Sequence, residues 1–239
     1  MGTHITTIFF DVGQTLLVPA VPEGLVFTEE AARFDVALDP ALVDARVTQM
    51  YRLYEQLYKQ DETFWSDEAR TTAMWLKLYE YLCSLMGVEE SKQAAIAQSV
   101  HRRYFSAASW KAYDDVLPAL EALRERGLRM GLISNWDSTL EGIIIELGLA
   151  PYFEVILSST VVRLHKPMPQ IFELALKRME VGPDEAIHVG DHLTADVAGA
   201  LEAGIMPVLI DRRGTTRKHV LPNTAVVSDL MGLIDLLGK

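Results

Sequence analysis

From residue 129 to residue 227, short runs of core-type residues alternate with helical patterns, and few folds other than a parallel sheet with helical crossovers accommodate that rhythm. The runs are Arg129–Ser134 (RMGLIS), Phe153–Ser158 (FEVILS), Ala186–Gly190 (AIHVG) and Pro207–Asp211 (PVLID), with a weaker one at Ala225–Val227. Ile5–Val12 supplies a further run near the start. Continuous β-branched and aromatic stretches of this length read as strands buried on both faces. Between them, PALEALRERG opens at Pro118 and closes at Gly127, Thr139–Leu147 stops before Gly148, Pro169–Met179 ends near Gly182, and Thr194–Ala203 ends at Gly204. Proline at the first turn and glycine just past the last are helix boundaries. Strand and helix in strict alternation predict an α/β, doubly wound parallel sheet with right-handed crossovers.

The interval 19–108 breaks the rhythm. It offers no convincing strand, and in ALVDARVTQMYRLYEQLYKQ the residues Val47, Met50, Tyr54, Leu57 and Tyr58 recur at helical spacing. Asp67–Met86 and Glu89–Phe105 read the same way. The expected organisation is a core domain from residues 1–18 and 109–239, with 19–108 inserted as an all-helical second domain. The aromatic stripe Tyr51, Tyr54 and Tyr58 is expected to be helix–helix core.

A net charge of −11 repels phosphate backbones and anionic lipid, so neither nucleic acid nor a membrane surface is an expected partner. Cys83 is the only cysteine, which leaves no intrachain disulfide. No apolar run approaches the roughly 20 residues that span a bilayer, and no signal-peptide pattern opens the chain. The expectation is a cytoplasmic protein. Nothing in the sequence speaks to its oligomeric state.

Open parallel sheets gather reactive groups at the carboxyl ends of their strands. Here those ends carry Asp11, then Ser134-Asn135, then His165-Lys166 shortly after the third run, then Asp191. One such aspartate would ordinarily be a turn former, but four polar strand ends of complementary chemistry point to a site. The stretches are Asp11-Val12-Gly13-Gln14-Thr15-Leu16, ISNWD, HKPMPQIF and GDHLTAD. In order and content they resemble the haloacid dehalogenase superfamily, whose phosphatases carry DxDxT, a strand-end Ser or Thr, a Lys, and GDxxxxD. The helical insertion is similar to that family's helical cap, through which specificity is set.

The resemblance implies a Mg²⁺-dependent hydrolase of small phosphorylated metabolites. Asp11 would be the nucleophile and form an aspartyl phosphate, and Mg²⁺ would be held by Asp11, the carbonyl of Gly13 and Asp191, with Asp196 either binding the ion directly or supporting its ligands. Ser134, Asn135 and Lys166 would bind the phosphoryl group, Lys166 also keeping Asp11 ionised. His165 and His192 flank site residues and are expected to be loop histidines without a role, and Arg212-Arg213 with Arg217-Lys218 a solvated loop.

The sequence departs from the family pattern at Gly13. Family phosphatases place there a second carboxylate, which protonates the leaving oxygen and later activates water, help typically worth about 10²–10⁴-fold. Four readings follow. A phosphatase without that group would favour leaving groups that depart easily, such as aryl or acyl phosphates, or take a proton from a cap residue. A 2-haloacid dehalogenase also lacks the second carboxylate, but dispenses with the metal site that Asp191 and Asp196 retain, and has a tyrosine where Phe172 stands. A phosphonatase-like enzyme would need a Schiff-base lysine, for which Lys59 and Lys77 are available. A catalytically degenerate binding protein would be expected to have lost Asp11 or Lys166.

Overall fold

The computed structural model describes residues 5–214 and 224–238. Strand β1 (Thr7–Phe10) turns into β2 (Leu17–Pro19), and four helices follow: α1 (Glu23–Ala32), α2 (Pro40–Gln60), α3 (Glu68–Leu85) and α4 (Glu90–Tyr104). After β3 (Trp110–Ala112) the chain alternates through α5 (Val116–Glu125), β4 (Arg129–Ser134), α6 (Leu140–Glu146), β5 (Val155–Ser158), α7 (Ser159–Val162), α8 (Pro169–Met179), β6 (Ala186–Gly190), α9 (Gly199–Glu202), β7 (Met206–Ile210), β8 (Ala225–Val227) and α10 (Leu230–Leu237).

The six longer-range strands form one sheet in the order β5-β4-β1-β6-β7-β8, every neighbouring pair parallel. This is the doubly wound sheet that the alternation predicts. Its register sets the site, because Phe10 lies opposite Leu132 on one side and Val189 on the other. Asp11, Ser134 and Asp191 therefore leave the same edge within a residue or two of one another. β1 sits between its two partners and is wholly buried, Phe9 and Phe10 included. Each buried phenyl contributes about 2–3 kcal/mol. Helix α8 shares a core with Phe9, Ile133, Leu157 and Ala186 through Ile171, Phe172, Ala175 and Met179. Helices α5 and α10 pack together and are tied by Arg126, whose guanidinium donates to the Ile234 carbonyl at 3.0 Å.

The chain divides into two compact units, Met1–Val18 with Ala112–Lys239, and Pro19–Lys111. The second unit is helical and has its own core, in which Val26, Phe27, Met50, Leu78, Leu82 and Ile96 are buried. Tyr54 and Tyr58 join this unit's aromatic packing, Tyr54 stacking on Tyr58 at 6.0 Å and on Trp75 at 5.9 Å. Tyr51 does not. It is 41% exposed, because its hydroxyl reaches out to donate to Glu23 Oε1 at 2.7 Å.

Two local features differ from the sequence expectation. β2 and β3 pair as a separate two-stranded ribbon, and at three residues each they are too short for periodicity to register. The stretch expected as one helix over 194–203 begins with a wide π-type turn at Leu193–Ala198 before α9. Such turns recur at functional sites, and here Asp196 is turned back toward the sheet, where it meets His188 of β6.

Candidate active site

Asp11 follows β1 directly, and its backbone N–H continues the ladder by donating to Val189 at 2.8 Å. Two donors converge on one of its oxygens. Ser134 Oγ, at the end of β4, donates to Asp11 Oδ1 at 3.1 Å, and Lys166 Nζ donates to the same atom at 2.6 Å. Lys166 is 2% exposed, one of the largest fully buried side chains of the protein, and its ammonium also donates to Asp196 Oδ1 at 2.5 Å. A surface lysine is thereby excluded. Burial alone would lower the Lys166 pKa, but the Asp11 and Asp196 carboxylates outweigh it and hold the group above its ordinary value.

Asp196 is fully engaged. Its Oδ1 receives Lys166 and the ring of His188, whose Nε2 lies 2.9 Å away, and its Oδ2 accepts the His192 N–H at 3.0 Å. Burial would raise this carboxyl, yet Lys166 and His188 hold it well below the usual carboxylate range. Gly190 is what lets Asp196 fold back so far. A Cβ built there would stand 2.2 Å from the Asp196 Cγ, a separation no real side chain tolerates. His188 itself is buried mid-strand in β6, with the Phe172 ring edge-on at 5.1 Å. An ionised carboxylate accepts, so Nε2 carries the proton, and buried Nδ1 has no partner among the described residues. Sequence reasoning missed His188, since a histidine inside an apolar strand looks like ordinary filling.

Asp191 behaves in the opposite way. Burial and the nearby Asp11 and Asp196 charges push its carboxyl well above the ordinary value, with Lys166 only partly offsetting them. Asp11, Asp191 and Asp196 each present an oxygen, all within 4.8 Å of one another. Three carboxylates share a single ammonium, so full ionisation leaves negative charge uncompensated. A hard divalent cation with oxygen preference fits that deficit.

The remaining sequence candidates fall into place around these groups. Asn135, expected to bind the phosphoryl group, has a second task for its side chain. It spans both backbone polar groups of Lys166, donating from Nδ2 to the carbonyl at 2.9 Å and accepting the N–H on Oδ1 at 2.8 Å. Gly13 lies in the turn after Asp11, bridged to Leu17, with Gln14 beside it in the left-handed region at φ 59°. Gly13 itself does not adopt a positive φ. His192 serves as a helix cap, its Nδ1 accepting the N–H groups of Thr194 and Ala195, and His165 is buried beside Lys166. Lys59 and Lys77 are both exposed in the helical unit.

Arg212 corrects the expectation of a solvated basic loop. Its guanidinium donates to the Thr15 carbonyl at 2.7 Å and to Asp115 at 3.1 Å, and lies over the Tyr113 ring at 3.8 Å. It fastens the end of β7 to the turn that follows Asp11. Arg213 is exposed and donates to Gln14 Oε1 at 3.2 Å, whereas Arg217 and Lys218 lie outside the described residues.

Comparison with known proteins agrees with this geometry. A family model described as haloacid dehalogenase-like hydrolase matches residues 5–204. The human haloacid dehalogenase-like hydrolase domain-containing protein 3 is 29% identical over 232 residues, covering 93% of this chain and 92% of its own. A protein of Methanopyrus kandleri named glyceraldehyde 3-phosphate phosphatase is 30% identical over 217 residues, 88% of this chain and 85% of its own. Among solved structures, the L-2-haloacid dehalogenase from Xanthobacter autotrophicus superposes with a TM-score of 0.69 at 20% identity, covering 98% of this chain and 99% of its own. That last likeness speaks to the fold alone.

Proposed function

The chain belongs to the haloacid dehalogenase-like hydrolases, and from that premise we propose that it is a cytoplasmic, Mg²⁺-dependent phosphatase of small phosphorylated metabolites. The observation that carries the reading is the buried Lys166 ammonium joined to Asp11 at 2.6 Å, within a group of three carboxylates whose oxygens lie within 4.8 Å. The phosphatase named among its relatives adds support for a phosphorylated substrate.

Mg²⁺ would be held by Asp11, Asp191 and the Gly13 carbonyl, and when bound it supplies positive charge against the phosphoryl oxygens. Asp196, with both oxygens already engaged, would hold Lys166 in place from behind the other ligands. Ser134 and Lys166 both reach Oδ1 of Asp11, so Oδ2 is the oxygen that attacks phosphorus. The new O–P bond forms as the bond to the leaving oxygen breaks, and the electron pair departs with that oxygen. Lys166, Ser134 and the Asn135 N–H would steady the charge on the transferring group. Water then cleaves the aspartyl phosphate and restores Asp11. Because Gly13 provides no proton, the site favours a leaving group that is stable as an anion.

The dehalogenase reading keeps the same nucleophile. The retained Asp191 and Asp196 favour the metal-dependent alternative, since a displacement at carbon has no need of the charge deficit they create. The helical unit would serve as the cap.

A phosphate-release panel with and without Mg²⁺ tests the assignment, run beside Asp11→Asn. Metal-dependent release from 4-nitrophenyl phosphate, abolished by Asp11→Asn, is the expected result. Halide release from a 2-chloroacid without added metal, or phosphate release that survives the substitution, would overturn it.

A further inference from the structure

The position that lacks an acid is bordered by an indole. A Cβ built on Gly13 would stand 3.6 Å from Cζ3 of Trp136, an ordinary van der Waals separation, and apart from the adjoining residues no other described atom comes within 4 Å of that point. Trp136 follows Ser134-Asn135 in sequence and is half-buried.

Its placement is heavily determined. The indole Nε1 donates to Thr139 Oγ1 at 3.3 Å, and the backbone N–H donates to Ser159 Oγ at 3.1 Å. The Trp136 carbonyl accepts from Ser158 Oγ at 2.8 Å, Ser159 Oγ at 3.2 Å and the Thr160 N–H at 3.3 Å. Four polar contacts from α7 and the end of β5 thus hold the Trp136 backbone, and one from the approach to α6 orients its indole beside the nucleophile's turn. Ligand sites combine a few placed polar groups with such fixed apolar surface.

We propose that Trp136 is the specificity-determining residue of the site and that, with Gly13, it selects phosphate monoesters of aromatic alcohols. The proposal rests on the phosphatase reading above. An aryl group beside the indole gains ring–ring contact, edge-on or stacked. The same ring spreads the negative charge of the departing phenolate, which leaves with the electron pair of the broken P–O bond and takes its proton from solvent. The absence of a carboxylate at residue 13 and the presence of an indole beside it then answer one chemical need.

Two measurements on the Mg²⁺-loaded protein test this. The first compares the wild type with Trp136→Ala and Trp136→Phe on 4-nitrophenyl phosphate and on acetyl phosphate, which also departs easily but has no ring. The ratio of kcat/KM for the aryl over the acetyl substrate is expected to fall about tenfold in Trp136→Ala and to be largely kept in Trp136→Phe. An unchanged ratio overturns the proposal. The second needs no turnover and no variant: calorimetric titration of the wild type with phenylphosphonate and with methylphosphonate. Binding of phenylphosphonate about fivefold or more tighter supports the proposal, even if the panel finds no hydrolysis and the phosphatase reading falls. Equal affinity overturns it, even if hydrolysis is found.

Discussion

Asn135 grips Lys166 by its backbone on both sides, its Oδ1 accepting the N–H at 2.8 Å and its Nδ2 donating to the carbonyl at 2.9 Å. Residues 31 positions apart are thereby joined as though they were neighbouring strands, and the ammonium at the far end of Lys166 inherits that placement. Asn135→Ala is expected to lower kcat by about 10- to 100-fold, because a displacement of the order of 1 Å costs that much. It should also cost about 1–3 kcal/mol of stability for the buried groups left unmet. Denaturant unfolding and steady-state kinetics read the two effects separately.

Gly13→Asp should fold and gain activity. Gly13 is not held in the left-handed region, and the added Cβ would meet only the Trp136 ring, at contact distance. Hydrolysis of an alkyl ester such as glycerol phosphate is expected to rise by about 10²-fold or more, with much less change on 4-nitrophenyl phosphate. An equal response of both substrates would show that residue 13 is not where the leaving oxygen sits.

Mg²⁺ should stabilise the protein by neutralising the charge gathered around Asp191. At a concentration about 100-fold above its Kd the gain is about 2.7 kcal/mol. For a chain of this length each kcal/mol raises Tm by about 2–4 °C. The shift is expected to shrink or vanish in Asp191→Asn, whose metal-free form should be at least as stable as the wild type because one member of the repelling set is gone. Thermal melts with and without the ion check both statements.

The helical unit should weaken in acid. Glu30 is buried and receives Ser99 Oγ at 2.5 Å and Arg103 at 3.0 Å. Burial pushes its carboxyl up, but the bonds from Ser99 and Arg103 and the neighbouring arginine charges hold it below its ordinary value of 4.5. A carboxyl lowered by folding stabilises the fold above its unfolded pKa, and that contribution disappears as pH falls through the folded value. Stability measured between pH 6 and pH 3 is therefore expected to decline more steeply in the wild type than in Ser99→Ala. The variant itself should lose about 1–2 kcal/mol near neutrality.

Cys83 should be inert in the native protein. It is fully buried in the helical unit, and burial pushes its thiol up to about 12, so almost no thiolate exists at neutral pH. Titration with a thiol reagent is expected to find no reactive group until denaturant is added.

What the sequence discloses follows the range of its signals. Strand runs and helix stops are local, so the parallel sheet and the helical stretch were readable from periodicity, and motif order named the strand ends. Contacts that exist only across the fold were not. His188 looks like core because its partner Asp196 reaches it through a π-type turn that no spacing rule anticipates. Arg212 looks like a loop cation because its acceptor, the Thr15 carbonyl, lies 197 residues away. The second role of Asn135 was hidden in the same way, since nothing local marks a side chain that bonds another residue's backbone.

The strand order has a consequence for how the chain is made. β1 precedes the other five strands of its sheet in the chain, yet it lies between β4 and β6, near the sheet's centre. Its second partner ends at Gly190, so at about 5–20 residues per second translation takes roughly 10–35 seconds to supply it. Through that interval Phe9 and Phe10 remain without their final neighbours, while the helical unit, complete by residue 111, is free to fold. A nascent chain of this protein therefore carries the two phenylalanines of its central strand uncovered through most of that time, and Asp11 meets Ser134, Lys166 and Asp196 only after synthesis has passed residue 196.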